Sequence, residues 1–93
     1  MRPLSGKGEA EWERFQNLLD DQMAWPSFYV FKFIAPQTEL DQLKAVFGRH
    51  PVEVRASRQG NYVSVTARME MHSSYEIIAL YKAAAIVEGV ILL

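Results

Sequence analysis

Two histidines, His50 and His72, and no cysteine make up the soft-ligand inventory of this 93-residue chain. Imidazole serves as a general base or a metal ligand, but each job needs a second group at a defined spacing. The two histidines fall in separate loops, with no His-x-x-x-His pattern and no carboxylate pair at ligand spacing. The adjacent serines Ser73 and Ser74 precede a helical pattern, where Ser73 with Glu76 reads as a capping box. The absence of cysteine removes thiolate nucleophiles, thiolate metal sites and disulfides together. The chain is therefore read as a non-enzyme, with no catalytic, cofactor-binding or metal-ligating residue assigned and no cofactor required.

The other chemistry available is charge. Between Arg49 and Arg68 stand four arginines, Arg49, Arg55, Arg58 and Arg68, against one acid, Glu53, in a chain of net charge -1. Guanidinium groups recognise phosphate or carboxylate through paired donors. Lys32, on a neighbouring strand, is expected to join Arg55 and Arg68 in a row across the sheet. The competing structural role of such charges is to keep an edge strand from pairing with other chains. The segment also contains Asn61 and Tyr62, and the expected interaction surface is Lys32, Arg55, Arg58, Asn61, Tyr62 and Arg68. Tyr62 is its apolar anchor and the arginines are orienting charges.

The elements that must position these residues follow from periodicity. Trp12, Phe15, Leu18 and Leu19 recur at helical spacing over 11–21, after a polar tail over 1–10. Trp25-Pro26 stops that helix. The run SFYVFKFIA, 27–35, is a strand apolar on both faces and hence central in its sheet. Thr38 is the expected cap of a helix over 39–47, ended by Gly48 and Pro51. Two alternating strands, 52–58 and 61–71, flank a Gln59-Gly60-Asn61 turn, in which both Gly60 and Asn61 suit positive φ. A helix from Ser73 with inward residues Ile77, Leu80, Tyr81, Ala84 and Val87 ends at Gly89, and Val90–Leu93 is a last strand.

The order (α)-β-α-β-β-α-β predicts an α+β, ferredoxin-like split βαβ sandwich. A four-stranded antiparallel sheet carries two helices on one face, preceded by a short N-terminal helix. The domain reading is 1–10 tail, 11–24 helical extension and 25–93 ferredoxin-like domain. Tyr29, Phe31, Phe33, Val63, Val65 and Met69 are the expected core. The other sheet face, with Phe28, Val30, Lys32, Ile34, Arg55, Tyr62, Ser64, Thr66 and Arg68, is more apolar than solvation requires. Three arrangements would account for it: the chain's own leading helix lying over it with Trp12, Phe15 and Leu19, a homodimer, or a different protein partner.

The run Ser57 to Val65, Ser-x-x-Gly-Asn-Tyr-x-Ser-Val, resembles a bacterial family of small proteins of unknown function, the YbeD-like family, some of whose members are described as lipoate regulatory proteins. Trp25-Pro26, Lys32, Tyr81, Gly89-Val90 and Leu93 carry the rest of the resemblance, which spans 15–93. It implies a ferredoxin-like fold similar to ACT-type regulatory domains and supplies no agreed activity.

The function read from these features is a small regulatory or protein-interaction domain that presents its sheet face or edge to a partner or to itself. The alternative is an ACT-like sensor of a small-molecule ligand, although the corner APQTEL has no glycine and Pro36 offers no N–H. Nucleic acid is disfavoured, because an RNA-binding RRM strand stacks bases on several aromatics and here only Tyr62 is in register. Acylphosphatase chemistry on this fold needs a glycine-rich loop that is missing after the first strand. No signal peptide or membrane-spanning run is read, so the chain is expected in the cytoplasm with no membrane contact.

Overall fold

The computed structural model describes residues 8–93; the tail reading of 1–7 lies outside these residues. Helix α1 spans Glu9–Gln22, opening two residues earlier than its periodicity suggests and carrying Glu9 and Glu11 in its first turn. Carboxylates there favour the partial positive charge of a helix start. A cis Trp25–Pro26 peptide precedes strand β1, Ser27–Pro36. A 3-10 turn at Gln37–Glu39 leads into the short helix α2, Leu40–Ala45. Strands β2, Glu53–Ala56, and β3, Tyr62–Met71, form a hairpin. Helix α3, Ser74–Ala85, then leads to β4, Ile91–Leu92.

The sheet order is β2-β3-β1-β4, antiparallel throughout. This is the ferredoxin-like arrangement that the element order predicts, with β1 and β3 central. Their pairing runs from Ser27↔Met71 to Pro36↔Tyr62. The inward residues Phe31, Phe33, Val63, Val65, Ala67 and Met71 are buried, whereas Tyr29 and Met69 are half-buried. Tyr81 of α3 is the hub of the helical layer. Its ring meets Phe31 edge-on at 5.4 Å and Phe33 at 5.6 Å. Aromatic pairs in this geometry each add about 0.5–1.5 kcal/mol beyond area burial.

Three local readings are corrected. Thr38 does not cap α2: it sits within the 3-10 turn, and α2 starts without a side-chain cap. Asn61 does not take positive φ, a conformation held in the hairpin by Gly60 alone, at 77°. Leu18 faces outward at 53% exposure, because α1 turns only Trp12 and Leu19 fully inward. Val54 and Ala56, across from the buried Val65 and Val63, lie on the helical side of β2 and are exposed. The Ser73 cap holds: its hydroxyl accepts from Glu76 N–H, while the Glu76 carboxylate accepts from His72 N–H, one residue before the cap.

The leading helix does not lie over the open sheet face. Trp12 and Phe15 of α1 pack against the Tyr81 ring at 6.3 and 5.6 Å, and Lys82 of α3 reaches Glu9 at 3.5 Å. Helix α1 thus joins α3 in the helical layer. Its amphipathic stripe identifies a buried face but says nothing about which layer receives it.

Candidate functional site

With the three helices gathered on one side, the second face of the sheet is open. Side chains alternate along an extended strand, so β1 directs Phe28, Val30, Lys32 and Ile34 outward, opposite the inward Tyr29, Phe31 and Phe33. From β3 come Tyr62, Ser64, Thr66, Arg68 and Glu70, and from β2 come Glu53 and Arg55. Phe28 is 75% exposed, Val30 52% and Tyr62 49%. These are large apolar groups held in water by two strands, β1 and β3, whose other faces are locked in the core.

The register fixes where the six expected surface residues fall. Arg68 lies across from Val30, Lys32 across from Thr66, and Arg55 across from Ser64. Lys32, Arg55 and Arg68 therefore share a face but not a row; each occupies its own cross-strand level. Periodicity gives the face of each residue, but the stagger depends on pairing register, which alternation alone leaves open. Arg55 is also partnered: its Nε donates to Glu53 Oε1 at 3.1 Å. Glu53, two residues away on the same side of β2, was not assigned to the surface by sequence reasoning, although that spacing is the signal that finds it. Lys32, Arg58 and Arg68 form no side-chain ion pair among the described residues.

Arg55, Arg58, Asn61 and Tyr62 converge at the hairpin end. The turn is closed by Gly60 N–H donating to Ser57 O at 2.9 Å and Ser57 N–H donating to Tyr62 O at 2.8 Å. Tyr62 N–H donates in turn to the Ser57 hydroxyl at 3.2 Å. Tyr62 forms a ridge between two shallow depressions. One, of about 150 Å³, is lined by Ile34, Arg55, Ser57, Tyr62 and Ser64. The other, of about 300 Å³, lies among Ser57, Arg58, Gln59, Asn61 and Tyr62. Both are open grooves rather than the enclosed clefts that bury most of a small ligand. The corner after β1, where an ACT-like ligand would bind, has its first available donor occupied: Gln37 N–H donates to Asn61 O at 2.9 Å.

The two histidines share no partner. His50 Nε2 lies 2.9 Å from Arg68 O, and by donating to it satisfies a β3 carbonyl beyond the last β2 pairing at Glu53↔Thr66. His72 is exposed, 3.6 Å from both Glu70 and Glu76. No helix among the described residues is long and apolar enough to cross a membrane.

A family model described as "Protein of unknown function (DUF493)" matches residues 20–93. A UPF0250 protein of Shewanella loihica is 36% identical over 85 residues, covering 83% of this chain and 91% of the relative. A UPF0250 protein of Shewanella oneidensis is 36% identical over 78 residues, covering 76% of this chain and 89% of the relative. These names state no catalytic activity. No solved structure gives a significant match. The match agrees with the YbeD-like resemblance read from Trp25-Pro26, the Gly60-Asn61-Tyr62 run and the C-terminal segment.

Proposed function

The chain belongs to the DUF493 family of proteins of unknown function, and on that footing we propose that it is a non-catalytic regulatory module that binds a protein partner through its open sheet face. One observation carries this reading: Phe28, Val30 and Tyr62 are exposed on a face that no helix among the described residues covers. Phe28 and Val30 adjoin near one end of this face, and Tyr62 stands at the other end, across from Pro36; apolar groups exposed along one face and rimmed by polar residues are what a partner surface offers. Lys32, Arg58 and Arg68 stand among them, so the partner is one whose surface combines an apolar anchor site with carboxylates. Open grooves on both sides of Tyr62 suit a ridge-and-pocket contact better than capture of a small molecule.

The test is comparative capture from a lysate of the source cells. Val30→Ser, Tyr62→Ala and Arg68→Glu variants alter the open face. Tyr75→Ala and Ile86→Ser alter side chains that are 74% and 79% exposed on and just beyond α3. A partner retained by the wild-type chain and the α3-side variants, and lost by the open-face variants, supports the reading. A partner lost only with Tyr75 or Ile86 removes it.

A further inference from the structure

Strand β2 is an outer strand of the sheet, and its sequence is self-complementary. Ser57 N–H donates to Tyr62 O, so Ser57 turns its backbone toward β3. Alternation along an extended strand then turns Glu53 and Arg55 toward β3 and turns Val52, Val54 and Ala56 outward. Among the described residues nothing bonds to the outward N–H and C=O groups of Val54 and Ala56. Every residue of β2 is exposed, and Val54 remains 38% exposed although it lies on the helical side of the sheet. An edge with free backbone groups and an uncovered valine is a template for strand addition.

We infer that two copies of this chain pair antiparallel through β2 about Val54, forming a continuous eight-stranded sheet. In this register Val54 faces Val54 of the second copy, and Val52 faces its Ala56. All are outward-turned residues, so each free donor meets a free acceptor. Glu53 falls opposite Arg55 of the second copy, and Arg55 opposite its Glu53. The pattern Val-Glu-Val-Arg-Ala matches its own reverse in both charge and apolar character. Shifting the centre to Arg55 keeps the same backbone parity but sets Arg55 against Arg55, and like charges directly opposite are destabilising. Charge therefore selects the Val54 register. The same alternation of sign distinguishes this edge from one protected by a single kind of charge.

On the helical side the pairing covers Val54, which is 38% exposed in the single chain. On the open side it joins two copies of the exposed face into one surface. The paired segment is short, so the dimer is a weak one that forms at high concentration. Its ion pairs are exposed, and added salt loosens it.

Sedimentation of the isolated chain over a broad concentration range tests this without any partner, so its outcome is separate from that of the capture experiment. The wild-type chain should sediment as a concentration-dependent dimer. Glu53→Arg and Arg55→Glu, each placing like charges opposite, should each weaken dimerisation about tenfold or more. The double exchange, E53R with R55E, should restore it. Both side chains are exposed, and circular dichroism checks that every variant is folded. A wild-type chain that stays monomeric throughout overturns the inference. So does a dimer indifferent to the single exchanges, or one that the double exchange fails to restore.

Discussion

At the scale of single residues, a pair of tyrosine hydroxyls meets behind the open face. The Tyr29 and Tyr81 hydroxyls are 2.9 Å apart, and Tyr81 also donates to Leu93 O at 3.3 Å. Burial raises the pKa of both phenols, most strongly that of Tyr81, where the neighbouring Tyr29 adds to the shift. Free tyrosine ionises near pH 10. In the folded chain these two hydroxyls stay protonated above that value, while the unfolded chain releases their protons. Base therefore favours unfolding: the stabilisation is complete below about pH 10 and is lost progressively as the pH climbs beyond it. Urea denaturation at rising pH should show falling stability above that point. Replacing Tyr29 and Tyr81 together with phenylalanine should flatten the decline, and an unchanged decline would show that other groups cause it.

At the scale of elements, two glycines separate strain from crowding. Gly60 in the β2–β3 turn and Gly89 before β4 both hold positive φ, at 77° and 74°. A Cβ at Gly60 meets open space, whereas one at Gly89 would lie 2.9 Å from Pro36 Cγ at the end of β1. Gly60→Ala should cost about 1–2 kcal/mol from the left-handed backbone alone. Gly89→Ala adds a clash with a stiff ring and should cost about 2–4 kcal/mol. Thermal or chemical melts of the two variants check this; equal losses would mean that Pro36 yields without cost.

The elements also show where sequence reading succeeds and where it stops. The element order reports the sheet order, and alternation in Ser27–Ala35 and Tyr62–Met71 reports which residues share a face, because period two survives whatever packs above. The Trp12-Phe15-Leu19 stripe could not report that α1 docks beside α3, since the same stripe serves either face of the sheet. Thr38 carries a cap's chemistry, but the chain enters α2 through a 3-10 turn that leaves that chemistry unused. Of the surface residues, the outward placement of Lys32, Arg55, Tyr62 and Arg68 is readable from parity. Their stagger and the Arg55–Glu53 bond depend on pairing register and on rotamers, which residue types alone do not specify.

At the scale of the whole molecule, the two faces of the sheet are unlike. Three helices and the aromatic cluster around Tyr81 share one side of the sheet, and among the described residues no helix lies on the other side. Phe28 and Tyr62 are exposed on that other side. The DUF493 match over residues 20–93 includes the entire sheet, so the open face falls within the family-defining part of the chain. The measurement that tests this most directly is hydroxyl-radical footprinting of the chain, first alone and then bound to the captured partner. Phe28, Val30 and Tyr62 should label readily in the isolated chain and become protected in the complex, with Tyr75 and Ile86 unchanged. Slow labelling of Phe28 and Val30 in the isolated monomer, or protection confined to Tyr75 and Ile86 in the complex, would contradict the account.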